Sequence, residues 1–136
     1  MEKCPCCKTK KYLACCGRFI KLKQHPETPE ELMRSRYTAY TLGNMDYILE
    51  TMKSPAADNF DRAAAKKYAL QTRWGTLEVL KSMTEQNKGW VEFIAHFKVE
   101  GAEQILHEIS EFRLDEGKWY YIDGEIQTQP HSCAHC

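Results

Sequence analysis

Hydrophobic residues recur with two different periods along this chain, and the period changes near Gly75. Upstream of Gly75, apolar residues are mostly three or four positions apart, as they are on one face of a helix. Downstream of Gly75, apolar and polar residues alternate, as they do in a strand with one buried face. The pattern therefore predicts helices followed by strands, which is an α+β architecture.

The first helix is predicted over residues 29–42, and both of its ends carry sequence signals. Thr28 has the form of an N-cap, Pro29 suits the first helical position, and Glu31 is the return acid of a capping box. Gly43 follows the last periodic residue, where a glycine commonly ends a helix. The residues expected along the apolar face are Met33, Tyr37 and Tyr40, with Leu32 and Ala39 beside them.

Two more helices are predicted before Gly75. A short one begins at Asn44 or the residue after it and ends before Pro55. The other covers residues 58–72, where a run of alanines favours helix. The residues expected to face inward are Ile48, Leu49 and Met52 in the short helix and Phe60, Ala64 and Tyr68 in the longer one.

Four strands are predicted after Gly75, and the second shows the strictest alternation. The remaining strands are expected at residues 77–81, 104–114 and 118–122. The connections between strands are short and contain glycine, so consecutive strands should pair as antiparallel hairpins. The apolar residues that alternate along the second strand are Val91, Phe93, Ala95, Phe97 and Val99.

Composition describes an ordinary soluble protein of one domain. The 136 residues, with 43% hydrophobic and 28% charged side chains, are enough to bury a core. No apolar run approaches the ~20 residues that span a bilayer, and no apolar segment follows a basic start. We therefore expect no membrane helix, no signal peptide and a cytoplasmic location. In a reducing cytoplasm, seven cysteines favour metal binding over disulfides.

Four cysteines near the N-terminus carry the strongest chemical signal in the sequence. Cys4, Cys6, Cys15 and Cys16 follow the pattern Cys-x-Cys-x8-Cys-Cys, which places two pairs of thiols on either side of a short loop. Zn²⁺ takes four such ligands in a tetrahedron, and so short a segment depends on metal for its folding free energy. The alternatives are a disulfide cluster, which adjacent cysteines form only with strain, or thiols without a role.

The three remaining cysteines leave alternatives open. Cys7 is predicted to be spare, although the spacing Cys4-x-x-Cys7 also suits a metal and would permit ligand exchange. The C-terminal tail could form a compact zinc site of its own, offer ligands to a metal between chains or beside the first site, or bind no metal. Its Cys-x-x-Cys spacing also matches a redox dithiol, but the tail lacks the helical context that lowers a thiol pKa. The tail residues of metal-ligand type are His131, Cys133, His135 and Cys136.

Charge is unevenly distributed although the net charge is zero. Residues 1–23 hold seven basic side chains and one acidic one, which leaves −6 for the rest of the chain. Four thiolates with one Zn²⁺ contribute about −2, so the N-terminal part stays basic. Lys8, Lys10 and Lys11 lie in the loop between the cysteine pairs and are candidates for binding an acidic protein or RNA. The alternative is a set of solvated lysines without a partner.

The cysteine-rich segment resembles the SEC-C motif, a small zinc-binding element. Residues 32–40 (LMRSRYTAY) and 119–124 (WYYIDG) resemble the two signatures of the YchJ-like family. The resemblance implies an NTF2-like cone, in which a curved sheet wraps a long helix, joined to a SEC-C motif that binds Zn²⁺. It brings no established activity. It implies a second SEC-C motif at the C-terminus as well, but the tail lacks the cysteine pattern.

Three segments follow from these observations. Residues 1–24 are predicted to form a SEC-C-like zinc-binding motif, residues 28–126 an NTF2-like α+β domain, and residues 127–136 a Cys/His-rich tail. The sequence leaves open whether the NTF2-like domain forms a homodimer.

Candidate catalytic groups are few. Glu92 with His96, and His107 with Glu111, share strand faces and could supply a general base with its orienting acid, but both sets are expected on the solvated side of the sheet. Arg34 and Arg36 are expected to pair with acidic residues at the helix surface rather than to form an anion site. The sequence contains no interpretable Ser/His/Asp arrangement, phosphate-binding glycine loop or His-Glu-x-x-His helix.

Two functions therefore compete. One is a non-catalytic interaction module whose basic zinc knuckle contacts an acidic surface, which a closed four-cysteine site favours. The other is a small-molecule enzyme or binder that uses the interior of the cone. An interior filled by aromatic side chains would leave no room for a ligand and would exclude the second function. The aromatic residues expected there are Tyr37, Tyr40, Phe93 and Phe97.

Overall fold

The computed structural model describes residues 3–127, in which helices precede a four-stranded antiparallel sheet. The predicted α+β class, with helices packed on an antiparallel sheet, is confirmed. Among the described residues, no helix is both long enough and apolar enough to cross a membrane. The elements in chain order are a 3-10 turn (Tyr12–Ala14), α1 (Gly17–Ile20), α2 (Pro29–Leu42), α3 (Met45–Glu50), α4 (Arg62–Gln71), β1 (Thr72–Glu85), β2 (Lys88–Val99), β3 (Ala102–Asp115) and β4 (Lys118–Ile126).

Helix α2 has the bounds that the sequence predicts. The Thr28 hydroxyl oxygen accepts a hydrogen bond from the N–H of Glu31 at 3.0 Å, and Pro29 occupies the first turn. The Glu31 carboxylate accepts from the N–H of Glu27 at 2.8 Å, so the capping box closes one residue earlier than its usual form. Gly43 ends the helix with a left-handed φ of 69°, which costs a glycine little.

The two shorter helices begin at side-chain caps. Helix α3 begins at Met45, the residue after Asn44, as predicted, and the Asn44 side chain caps it. Asp61 caps α4 by accepting from the N–H of Ala64 at 3.0 Å. The cap at Asp61 explains why α4 begins at Arg62, whereas the sequence predicted a start near residue 58.

Helix α4 packs through a different face from the one predicted. Ala64 and Tyr68, from the predicted stripe, are exposed, whereas Ala69 is buried and Ala65 is half-buried. Phe60 precedes the helix. The face that meets the core is therefore rotated by about one residue from the predicted stripe.

The sheet is a meander in the order β1-β2-β3-β4, and its hairpins are antiparallel as predicted. Strand β1 begins at Thr72, directly after α4, and is longer than the sequence predicts. The alternation along β2 is confirmed, because Val91, Phe93 and Ala95 are buried on the inner face.

Helix α2 lies between the sheet and the N-terminal segment and contacts both. Its buried Leu32 and Met33 belong to a core that also contains Val91 and Phe112 of the sheet. Phe19 of the N-terminal segment joins the same core. The N-terminal segment is therefore packed against α2.

Candidate metal centre and interior cavity

Four cysteine sulfurs converge in residues 3–20, the segment that we call the knuckle. The Sγ atoms of Cys4, Cys6, Cys15 and Cys16 all lie within 4.8 Å of one another. Cys4 and Cys6 are 3.8 Å apart at Sγ, and Cys6 and Cys15 are 3.6 Å apart. Ligands at ~2.3 Å from a tetrahedral metal ion lie about 3.8 Å from one another. The spacing therefore fits one metal ion, and the cysteines of the described region form no disulfide.

Backbone hydrogen bonds fold the loop between the two cysteine pairs. The N–H of Cys4 donates to the carbonyl of Lys10 at 2.7 Å, and the N–H of Lys8 donates to the carbonyl of Cys4 at 2.8 Å. Lys8 itself adopts a positive φ of 63°, which turns the chain. The 3-10 turn that follows brings the second pair of cysteines to the first.

Crowding of the four thiols sets their protonation. Hydrogen bonds to the Cys16 and Cys6 thiols lower the pKa of Cys4, whereas hydrogen bonds to the Cys16 and Cys4 thiols raise the pKa of Cys6. The contact with Cys4 also raises the pKa of Cys16, and burial raises the pKa of Cys15. Four neighbouring buried thiols cannot all deprotonate by themselves, because their negative charges repel one another. A cation between them is needed to stabilise the four thiolates. A divalent metal ion would supply that charge.

Helix α2 holds the knuckle through groups that the sequence did not single out. The Thr38 hydroxyl lies 3.6 Å from the Sγ of Cys4, and Thr38 is fully buried. Nη1 of Arg34 donates to the carbonyl of Cys6 at 3.3 Å, while its Nε donates to Glu30 at 2.9 Å. The expected acidic partner of Arg34 is thus present. The contact with Cys6 crosses 28 positions of sequence, and no local pattern predicts it.

Cys7 stands apart from the four-cysteine cluster. It is half-buried, and its Sγ accepts a hydrogen bond from the N–H of Lys10 at 3.4 Å. Burial raises the pKa of Cys7, but hydrogen bonds from Thr9 and Lys10 outweigh it and bring the pKa to about 7. The geometry supports the prediction that Cys7 is spare.

The loop lysines are solvated. Lys8, Lys10 and Lys11 are exposed, and none has an ion-pair partner within 4 Å among residues 3–127. By contrast, Arg18 and Lys23 form ion pairs with acids of the cone. Part of the basic charge of the N-terminal segment is therefore neutralised by ion pairs. The loop lysines keep positive charge that is not paired.

The two histidines of the sheet each pair with a glutamate on its outer face. His107 Nε2 lies 2.7 Å from a Glu92 carboxylate oxygen, and His96 Nε2 lies 3.1 Å from one of Glu78. None of these residues lines the interior of the cone, so the solvated position expected for them is supported. The second predicted metal-ligand group lies outside the described residues and comprises His131, Cys133, His135 and Cys136.

The interior of the cone contains a cavity of about 470 Å³. Tyr37, Tyr40 and Phe93 line this cavity but do not fill it, and Phe97 packs against Trp74 instead, with ring centroids 5.6 Å apart. The condition that would exclude a ligand from the cone is therefore not met. The lining also includes Met33, Arg36, Ala64, Ala65, Tyr68, Trp74, Ala95, Leu106, Glu108, Ser110, Phe112 and Tyr121.

Arg36 departs from its expected position at the helix surface. It is buried, Nη1 donates to the Ile48 carbonyl and to the Thr51 hydroxyl oxygen at 2.8 Å each, and the guanidinium carbon lies 4.5 Å from the centre of the Tyr121 ring. Burial lowers the pKa of Arg36. This placement depends on the end of α3, which supplies both hydrogen-bond acceptors, and on β4, which supplies the Tyr121 ring.

A four-thiol knuckle held on an NTF2-like cone defines a class of protein, the SEC-C motif proteins. A family model described as "YchJ, middle NTF2-like domain" matches residues 28–124. The chain therefore belongs to the YchJ-like family.

Relatives and solved structures agree with this assignment. A UPF0225 protein of Haemophilus influenzae is 41% identical over 140 residues, which cover 98% of this chain and 86% of the relative. The solution structure of a SEC-C motif containing protein from Rhodopseudomonas palustris is similar with a TM-score of 0.84 and 40% identity, and covers 94% of this chain and 100% of its own. A crystal structure of a sec-c motif containing protein from Psychrobacter arcticus has a TM-score of 0.76 and 28% identity over 93% of this chain and 83% of its own.

Proposed function

We propose that this chain is a non-catalytic zinc protein whose knuckle binds an acidic partner protein through its loop lysines. The carrying observation is a closed four-sulfur cluster that presents Lys8, Lys10 and Lys11 to solvent. The metal has a structural role in this proposal, because four protein ligands leave no open position for a substrate.

Zinc is the metal that the donor set favours. Four thiolates at tetrahedral spacing suit Zn²⁺ or iron, and we favour Zn²⁺ because a closed shell of four cysteine ligands is typical of structural zinc sites. The metal contributes folding free energy to the knuckle directly, because the unfolded segment has no preformed site.

Charge indicates the kind of partner that the knuckle would bind. Three exposed lysines without ion-pair partners among residues 3–127 form a local positive field, while the segment after residue 23 carries −6. Tyr12 and Phe19 are the aromatics nearest the loop, and Phe19 is buried in the core. Because RNA reading relies on aromatic stacking, an acidic protein is the better match.

The test combines native mass spectrometry with capture from a bacterial lysate. Native mass spectrometry of the full chain should show one zinc from the knuckle, and comparison with a chain ending at residue 127 counts any metal held by the tail. The full chain and a Lys8→Ala/Lys10→Ala/Lys11→Ala variant are then used as bait at low and high salt. We expect the variant to recover several-fold less partner, and high salt to weaken recovery by the full chain, since screening acts beyond about 8 Å at physiological ionic strength.

A matched control removes the same charge elsewhere. Lys66, Lys67 and Lys81 are exposed on α4 and β1, so their triple alanine variant should recover as much partner as the full chain. Equal recovery by both triple variants would contradict the proposal. Loss of the captured material after ribonuclease treatment would replace the acidic protein with RNA.

A second function is favoured by one specific observation, the cavity in the cone. A space of about 470 Å³ lies within the range of small-molecule sites, roughly 300–1,000 Å³. This function does not depend on the knuckle.

A further inference from the structure

We infer that the cavity of the cone binds a flat, uncharged aromatic molecule that carries a hydrogen-bond donor and an acceptor at one end. The inference names the ligand chemistry of the cone and stands independently of the knuckle and its partner. Its support is a lining in which aromatic side chains are joined by one buried cation, Arg36, and one carboxylate, Glu108.

Aromatic side chains shape the apolar part of the cavity. Tyr37 meets Trp74 edge to face with ring centroids 5.8 Å apart, and Phe112 meets Tyr121 in the same way at 5.9 Å. Rings fixed by such contacts present flat surfaces, against which another ring can stack. The volume of about 470 Å³ accommodates a molecule of one or two fused rings.

Glu108 breaks the apolar pattern of the inner face. It lies opposite Phe93 in the register of β2 and β3, and Phe93 is buried on the inner face. Its carboxylate accepts hydrogen bonds from the Ser110 hydroxyl at 2.8 Å and the Tyr121 hydroxyl at 3.4 Å. A Cβ at Gly124 would lie 2.3 Å from the same carboxylate, so the absence of a side chain there makes room for Glu108.

Arg36 supplies donors beside this carboxylate. Nη1 is used by the Ile48 carbonyl and the Thr51 hydroxyl. Nε and Nη2 make no hydrogen bond to another of the described residues, and no carboxylate of that region lies within 4 Å of the guanidinium. A buried cation with unused donors is costly unless a ligand or water completes its bonds.

The Tyr37 ring lines the cavity, whereas its hydroxyl has almost no accessible surface. Its hydroxyl is buried and has no hydrogen-bond partner in the described part of the chain, and burial raises its pKa to about 12. The hydroxyl is therefore neutral at physiological pH. A ligand in the cavity therefore meets the Tyr37 ring and not its hydroxyl, so the charged hydrogen-bonding groups that it can reach are Arg36 and Glu108.

The charge balance of the lining selects an uncharged ligand. Arg36 and Glu108 are the charged residues that line the cavity, and together they are neutral. A ligand anion would face Glu108, and a ligand cation would face Arg36; like charges brought together in an interface cost several kcal/mol. A group such as a carboxamide can accept from Arg36 and donate to Glu108 without either penalty.

The experiment compares three naphthalene probes on the zinc-loaded full chain. The probes are 2-naphthamide, 2-naphthoate and 2-naphthylmethylammonium, which share one ring system and differ in charge. Binding is followed by NMR through the indole N–H of Trp74, which lines the cavity and donates to the Ala69 carbonyl at 3.2 Å. The indole signals of Trp90 and Trp119, which lie outside the lining, serve as internal references.

We expect 2-naphthamide to shift the Trp74 signal selectively and to bind at least about tenfold more tightly than either charged probe. Glu108→Gln should improve binding of 2-naphthoate relative to 2-naphthamide, because it removes the repelling charge. Glu103→Gln, at an exposed position of the same strand, should leave the preference unchanged.

Two variants fill the cavity independently. Ala95→Leu on β2 and Ala65→Leu on α4 each add bulk at a lining position and should abolish the Trp74 shift, with folding confirmed by thermal melting. The inference is overturned if no probe shifts Trp74, if 2-naphthoate binds most tightly to the unsubstituted chain, or if a folded filling variant retains binding. None of these outcomes changes the zinc content or lysine dependence that test the knuckle.

Discussion

The knuckle and the cavity are both buried polar sites, but they are assembled in opposite ways. The knuckle takes its four sulfurs from residues 4–16, so that one loop forms nearly the whole site. The cavity takes its lining from α2, α4 and all four strands. A local site can be stabilised by one metal ion, whereas a dispersed site depends on the entire core.

The difference explains how each site tolerates change. Loss of one sulfur removes a quarter of the metal coordination and leaves buried thiols without a cation. Loss of one wall of the cavity leaves many other contacts in place. The two sites meet at α2, which contacts the knuckle through Thr38 and lines the cavity through Tyr37.

The largest expected effect comes from removing a cluster sulfur. Cys15→Ser should reduce bound zinc from about one per knuckle to nearly none, because the buried four-sulfur site loses a ligand. Cys7→Ser is the matched control, since Cys7 lies outside the cluster, and it should keep its zinc. Metal content is measured by mass spectrometry under native conditions. The opposite pattern would make Cys7 the ligand.

Removing zinc with a chelator should affect the folding of the knuckle and of the cone differently. Removing zinc should unfold the knuckle, because metal binding supplies roughly 10–16 kcal/mol in zinc peptides of this kind. The cone should stay folded, because most residues of the core that the two regions share belong to its helices and sheet. Hydrogen exchange should show lost protection at Ile20 and retained protection at Val91 and Phe112. Loss of cooperative melting by the whole chain would show that the two regions fold as one unit.

A smaller effect is expected at the contact between the two regions. Thr38→Val removes the hydroxyl that lies 3.6 Å from the Sγ of Cys4, and loss of a group supporting a metal ligand typically weakens metal affinity about 10-fold or more. Competition with a colorimetric chelator measures this change. Thr41→Val is a suitable control, because the Thr41 hydroxyl donates to the Thr38 carbonyl and does not reach the knuckle. Equal zinc affinities in the two variants would show that Thr38 has no part in holding the site.

Prediction from sequence succeeded where the deciding interactions are local. Thr28 and Gly43 mark the ends of α2 because a cap and a left-handed glycine act within one turn. The alternation along β2 identified the buried Phe93 for the same reason. The cluster of Cys4 and Cys16 was found because metal ligands that lie close in sequence leave a recognisable spacing.

Prediction failed where distant segments meet. Arg36 was expected at the helix surface, yet it is buried beneath Tyr121, which lies 85 positions further along the chain and contacts it only after β4 packs on α2. The buried face of α4 was predicted wrongly because Ala64 and Ala65 have the same helix propensity. Only packing decides which of the two is turned toward the core. The sequence did contain a signal for Glu108: it is a charged residue at a position of β3 that the alternation places on the apolar inner face.

The sequence by itself determined the order of helices and strands, the caps of α2 and the set of four sulfurs, since each depends on residues within a few turns of one another. Only the tertiary structure decided that the cone is hollow, that Arg36 and Glu108 share its lining, and that Thr38 reaches Cys4. The physical reason is that volume and side-chain pairing in a core depend on how complete elements pack, and packing is not encoded in any local spacing.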